Sequence, residues 1–177
     1  VTAPLLEGRG DALPVSAMPV DGTFPSGTAR FEKRSIAAFV PLWEPELCIQ
    51  CGNCGFVCPH GVIRAKLFHS DRLGDAPEGF LSAPIDTRGF PETRYALHVY
   101  PDDCTGCALC VEVCPAKSKE ETRKRAINMV AKETVLETAR RSTTFFETLP
   151  VTPRARVDFS TVRGTQFLEP LFEFSGA

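Results

Sequence analysis

Apolar positions in this chain come in short runs separated by turn residues, a pattern that predicts short strands and one charged helix. Ile36 to Leu42 is mostly apolar and predicts a strand. Tyr95-Ala96-Leu97-His98-Val99-Tyr100 predicts another. Gly61 to Leu67 reads as a segment with some helical character. From Lys119 to about Glu147 the chain is charged and helix-compatible, with Ile127, Val130, Thr134 and Leu136 as an imperfect apolar stripe. The rest lacks a clear period. Residues 1–34 are rich in Pro, Gly and Ala, carry turn signals at Asp21-Gly22 and Pro25-Ser26-Gly27, and read as an extended arm. A loop-rich insertion at about 68–93 is punctuated by Gly74, Pro77, Gly79, Pro84, Gly89 and Pro91. Phe80, Leu81, Ile85 and Phe90 give it apolar anchors, with which it could cover a cluster or meet a neighbouring domain, or equally be a surface excursion. Residues 148–177 form a second arm, broken by Pro150, Pro153 and Pro170. Phe159, Phe167, Leu168, Leu171, Phe172 and Phe174 make that arm too apolar to be left exposed, so it is expected to pack on the body or on a neighbouring domain. The body is residues 35–147.

Both predicted strands lead into cysteines. Cys48, Cys51, Cys54 and Cys58 precede Pro59, and Cys104, Cys107, Cys110 and Cys114 precede Pro115. Each run reads C-x2-C-x2-C-x3-C-P, the ligand spacing of bacterial two-cluster iron–sulfur proteins, and the runs account for all 8 cysteines. Three thiolates on a tight loop can wrap one face of a [4Fe–4S] cube. The fourth corner points away and is met from elsewhere; in this motif class the fourth cysteine of each run serves the other cluster. Cluster I is therefore expected on Cys48, Cys51, Cys54 and Cys114, and cluster II on Cys104, Cys107, Cys110 and Cys58. Gly52, Gly55 and Gly106 supply turns that a Cβ would obstruct. Four disulfides and two zinc sites are the competing readings. The cysteines are spaced too tightly for the first, and zinc usually draws on two separated C-x2-C pairs.

The runs belong to an internal repeat. Cys48 and Cys104 lie 56 positions apart, as do Cys58 and Cys114, and Pro45 and Pro101 share that offset. The fold class expected is α+β: a two-cluster, bacterial ferredoxin-like fold with a pseudo-twofold repeat, a loop-rich insertion and long N- and C-terminal arms.

Composition narrows the function. With 20 basic and 22 acidic residues among 177, no basic footprint marks a nucleic-acid partner. No apolar stretch approaches the roughly 20 residues of a membrane span. Thiolate ligands imply a reducing, cytoplasmic setting. The start, Val1-Thr2-Ala3-Pro4, has no signal-peptide pattern and no initiator methionine, so a piece of a longer chain is expected.

Other residues offer less. Lys117, Lys119, Arg123, Lys124 and Arg125 form a basic cluster, read as a solvated helix face or, more sharply, as a dock for an acidic carrier. His60 follows the first run and could tune a cluster or relay a proton, although such a residue is more often structural. His98 reads as a strand-face residue. Trp43 and Tyr100 read as packing that keeps water from the clusters. No Ser/His/Asp arrangement or carboxylate pair stands out, so no catalytic residue is assigned.

Several stretches point to a family. They are Pro19-Val20-Asp21-Gly22-Thr23-Phe24-Pro25, Phe31-Glu32-Lys33-Arg34-Ser35-Ile36-Ala37, Trp43 through His60, Asp102 through Cys107, Glu112 through Lys117, and Gln166 through Ala177. Together they closely resemble the ferredoxin-like domain of pyruvate:ferredoxin (flavodoxin) oxidoreductases. The resemblance implies a parent enzyme that oxidatively decarboxylates pyruvate with thiamine diphosphate, Mg2+ and coenzyme A. Its electrons leave singly through three [4Fe–4S] clusters to ferredoxin or flavodoxin. This chain would hold two of the three, and the third would lie in a thiamine-binding domain outside it. By analogy, the cluster on Cys104, Cys107 and Cys110 is expected nearer the thiamine side. The parent is expected to be a homodimer, and the isolated chain to lack pyruvate activity. The alternatives are a free-standing polyferredoxin, a small electron-transfer subunit of another redox complex, and a zinc-stabilised interaction domain.

Overall fold

The computed structural model describes residues 1–23, 33–85, 89–158, 160, 161, 164, 165 and 168. The turn signal at Pro25-Ser26-Gly27 and nearly all the aromatic anchors of the C-terminal arm lie outside the described residues.

Two small antiparallel sheets form the frame. Strand β1 (Phe39–Trp43) pairs with β5 (Ile127–Ala131), from Phe39 opposite Ala131 to Trp43 opposite Ile127. Strand β2 (Ile63–His69) pairs with β4 (Thr93–Val99), from Ile63 opposite Val99 to His69 opposite Thr93. A two-residue strand, β3 (Ala83–Pro84), lies on the other edge of β4. The predicted strands at 36–42 and 95–100 are thus present, each displaced by one to three residues. Each strand that enters a cysteine run pairs with the strand that leaves the other run. Helices are short, except one: α1 (Thr2–Leu6), α2 (Asn53–Val57), α3 (Leu109–Glu112) and α4 (Lys132–Thr148).

Three expectations need correction. Gly61 to Leu67 is not helical; it supplies most of β2. A seven-residue helix would be marginal alone, whereas the exposed edge of β4 offers a full ladder of backbone partners. The helix expected from Lys119 begins only at Lys132, and Ile127 and Val130 sit in β5. There the main chain of β1 satisfies their backbone groups, an outcome local propensity could not anticipate. The N-terminal arm is also not simply extended. It holds α1 and two 3-10 turns, Gly10–Ala12 and Val15–Ala17, none with a buried residue.

The larger core joins Val40, Trp43, Ile63, Leu67, Tyr95 and Ile127 to buried Cys104, Cys110 and Cys114. The cysteine loops are therefore part of the core. A second core holds α4 against β2 and β4 through Phe68, Ala96, Phe145, Phe146 and Leu149. The sequence of α4 has no Gly or Pro until Pro150, just beyond its end, and buries Ser142, Phe145 and Phe146 on one face. Its C-terminus ends on a buried cation. The Lys66 ammonium donates to the carbonyls of Phe146 (3.0 Å) and Leu149 (2.8 Å) at the negative end of the helix dipole. The insertion packs on the body: Phe80 meets Phe145 edge-on at 4.7 Å and Phe68 at 6.3 Å.

Candidate iron–sulfur site

Two matched loops present the cysteines. After Cys48 the backbone turns left-handed at Gln50 (φ 54°) and again at Gly52 (φ 76°), then enters α2. After Cys104 it turns left-handed at Gly106 (φ 75°) and at Ala108 (φ 61°), then enters α3. These pairs fall at the 56-residue offset of the repeat. The turns curl each loop back on its first cysteine. Gln50 N–H donates to Cys48 Sγ at 3.3 Å, and Gly106 N–H to Cys104 Sγ at 3.4 Å. Gly106 has little room: a Cβ there would lie 3.1 Å from the Phe39 carbonyl and 3.4 Å from the Ala37 Cβ.

The thiols line two separate cavities. Cys48, Cys51, Cys54 and Cys114 line the first, with Trp43, Tyr95 and Ile127 among its other walls. Cys58, Cys104, Cys107 and Cys110 line the second, with His60, Val62 and Met129. All eight are free of disulfides, and only Cys107 is exposed. Each cavity takes three cysteines from one run and the fourth from the other. The strand pairing explains this. Cys58 leads into β2, whose partner β4 leads into Cys104; Cys114 leads toward β5, whose partner β1 leads into Cys48.

Burial pushes four of these thiols up, two in each cavity. Cys54 is raised to about 12 and Cys110 to about 11, first by desolvation and then by neighbouring cysteines. Cys48 and Cys104 are raised by burial as well, against a lowering pull from their N–H donors. Four thiols crowded in an apolar wall resist ionising together unless cationic iron compensates the charge. The donor set therefore fits a multi-iron group.

Residues that the motif did not flag hold the loops in place. The Gln50 side chain donates to the Pro84 carbonyl at 2.7 Å, tying the insertion to the first loop. Arg125 donates to the carbonyls of Val111 (2.8 Å), Glu112 (2.7 Å) and Cys114 (2.9 Å), closing the end of α3 around the fourth cysteine. The N-terminal segment braces the second loop. Ser35 N–H reaches the Asp102 carbonyl at 2.9 Å, its hydroxyl reaches the Asp102 carboxylate at 2.8 Å, and Lys33 pairs with Asp103 at 2.5 Å. Arg140 of α4 binds the same Asp102 carboxylate through two nitrogens, both at 2.9 Å, which holds that carboxyl below its ordinary range. The 56-residue offset to Gly106 marks Gln50 in the sequence. Nothing local marks Arg125 or Ser35, whose partners come from other elements.

One further expectation is corrected. The basic cluster is not a helix face: it lies on a loop where Lys117 bridges Arg125. Lys124 is engaged with Glu44 (3.0 Å) and Glu121 (2.8 Å), leaving Lys117, Lys119 and Arg123 on the exposed surface. Tyr100 lines neither cysteine cavity but packs against both cores, with His98 and Phe146 as ring neighbours. His98 is a strand-face residue of β4, as read, and is buried, with its Nε2 2.7 Å from Thr143 Oγ1. The Thr143 hydroxyl already donates to the Ala139 carbonyl, so His98 is the donor in that pair.

Comparison with known proteins agrees with the geometry. Residues 47–118 match the 4Fe-4S dicluster domain, and residues 1–37 match a domain of unknown function, EKR. The whole chain is 46% identical over 177 residues to the probable pyruvate-flavodoxin oxidoreductase of Escherichia coli K12. It is 45% identical over 177 residues to the pyruvate-flavodoxin oxidoreductase of Nostoc sp. PCC 7120, and 43% identical over 179 residues to the pyruvate:ferredoxin oxidoreductase of Moorella thermoacetica. All of this chain is covered in each case, against 15%, 15% and 14% of those relatives. A dicluster domain carries two [4Fe–4S] clusters, and two sets of four thiols are the ligands such a pair requires. Over its full length the chain is thus similar to one segment of the pyruvate-flavodoxin oxidoreductases, and within it residues 47–118 match the 4Fe-4S dicluster domain.

Proposed function

We propose that this chain is the electron-relay segment of an oxo-acid oxidoreductase that acts on pyruvate. Cluster I would bind Cys48, Cys51, Cys54 and Cys114, and cluster II would bind Cys104, Cys107, Cys110 and Cys58. The observation that carries the reading is the sorting of the eight thiols into two cavities, each completed by the fourth cysteine of the opposite run. When bound, such clusters take up and release one electron at a time. The chain's own part is to fix them side by side, donate N–H groups to sulfur and exclude water.

A pseudo-twofold relation between the halves supports the pairing. Left-handed positions match at the 56-residue offset, and the strands flanking the runs pair reciprocally. The domain plan follows: a ferredoxin-like body over 35–147 with its insertion, braced by the arms at 1–34 and 148–177. Electrons would enter from a thiamine diphosphate site with its own [4Fe–4S] cluster elsewhere in the parent, which also uses Mg2+ and coenzyme A. They would leave to flavodoxin or ferredoxin, the acceptors in the relatives' names. Exposed Lys117, Lys119 and Arg123 beside Cys114 offer an acidic carrier complementary charge.

Iron and acid-labile sulfide analysis after anaerobic reconstitution tests the cofactor, with about eight of each expected per chain. Replacement of Cys58 tests the crossing. Cys58→Ser should impair the cluster on Cys104, Cys107 and Cys110 and spare the one on Cys48, Cys51 and Cys54, as read by electron paramagnetic resonance of the reduced protein. Damage confined to the Cys48 cluster would refute the crossed assignment.

A further inference from the structure

One buried donor in the first cavity has no ordinary partner. Trp43 is only 3% exposed, and its indole Nε1 is buried with no hydrogen-bond partner among the described residues. An indole N–H can only donate. Leaving such a group buried and unpaired is costly, so a group bound in the cavity should supply the acceptor. The ring is held firmly. It lies on β1 opposite Ile127 and meets Tyr95 edge-on, with centroids 5.8 Å apart and planes at 75°. Trp43 shares the wall of the cavity with Cys48, Cys51, Cys54 and Cys114.

We propose that the Trp43 indole N–H donates to a sulfur of cluster I and raises the reduction potential of that cluster. The proposal rests on the ligand assignment above. The added electron of a reduced cluster increases the negative charge on its sulfurs, so a fixed N–H dipole stabilises the reduced form more than the oxidised one; hydrogen bonding to sulfur is one of the terms that sets cluster potentials.

The effect belongs to one cluster. The backbone donors are matched between the halves, Gln50 to Cys48 and Gly106 to Cys104. The indole is not matched. Trp43 stands five positions before Cys48; five positions before Cys104 stands Val99, which has no side-chain donor. Trp43 thus makes two similar cradles chemically unequal, which a relay between adjacent clusters can use to bias where the electron rests.

Because Trp43 is the only tryptophan in the chain, it can be labelled alone. The whole chain, reconstituted with indole-15N tryptophan and partly reduced, should show a 15N coupling and an exchangeable-proton coupling on one of its two clusters by pulsed paramagnetic resonance. In Trp43→Phe both couplings should vanish. One midpoint potential should move to a more negative value while the other stays in place. Protein with full iron and sulfide that shows no 15N coupling overturns the proposal. So does a Trp43→Phe variant with both midpoints unchanged, or with both moved equally. If that variant does not assemble, the labelled wild-type protein decides. Missing iron or sulfide in the wild type would instead count against the ligand assignment itself.

Discussion

At the scale of single residues, left-handed backbone is where the two loops agree in shape and differ in cost. Gly106 accepts φ 75° without penalty, and its flanks leave no space for a methyl group. Gly106→Ala should therefore destabilise the protein by about 1–3 kcal/mol and lower the occupancy of cluster II first. Ala108 adopts φ 61° with a side chain. Ala108→Gly should be neutral or stabilising by up to about 1 kcal/mol, since relief of the left-handed strain exceeds the entropy cost of glycine. Denaturant midpoints and iron content of the two variants check both outcomes. His98 makes a pH prediction. Burial lowers it from its ordinary 6.5 to about 4, so the native state holds it neutral while an unfolded chain takes up a proton below about 6.5. Its contribution is complete above pH 6.5 and is lost as pH falls toward 4, at a cost of about 3 kcal/mol. The denaturant midpoint should drop from pH 7 to pH 5, and His98→Gln should flatten that slope. The cysteines were legible at this scale because their spacing is itself the signal. His98 was not, since what buries it is α4, whose Thr143 lies 45 residues further along the chain.

At the scale of elements, long-range pairing overrode local pattern. Gly61 to Leu67 has some helical character in isolation, yet from Ile63 onward these residues form a ladder with β4. Lys66 shows what that ladder places. Its strand position points the ammonium at the end of α4, where it binds two carbonyls and lies 4.9 Å from the Phe146 ring centroid. Lys66→Met keeps much of the volume but leaves those acceptors without their cation. We expect a loss of about 2 kcal/mol, read as a lower denaturant midpoint, with fraying of the last turn of α4 seen by hydrogen exchange. If the midpoint is unchanged, the helix end is satisfied in another way. The entering strands were legible because apolar runs precede the cysteines. The boundary of α4 was not, because charge and helix propensity continue upstream of Lys132 into residues that β1 captures.

At the scale of the molecule, the cysteine cavities and the main hydrophobic core are one structure. Cys104, Cys110 and Cys114 are buried in that core, and Cys48, Cys54 and Cys58 pack against it. Stripping the iron should thus leave raised, neutral thiols around unfilled space and remove the links between the two halves. The chain should lose most of its ordered structure and become sensitive to protease at 25 °C, as followed by circular dichroism during chelation. Native-like dichroism in iron-free protein would show that the sheets and α4 suffice by themselves. The sequence alone determined the inventory: eight thiols, their grouping in threes on tight turns, the repeat, and the family resemblance, all carried by local spacing or by composition. The motif class also held the expectation that the fourth ligands cross. Only the tertiary structure decided how that crossing is built, which stretches become strands, and where the Trp43 N–H ends up. These depend on strand pairs and core contacts between residues dozens of positions apart, and no local pattern encodes which distant backbone will be there to receive them.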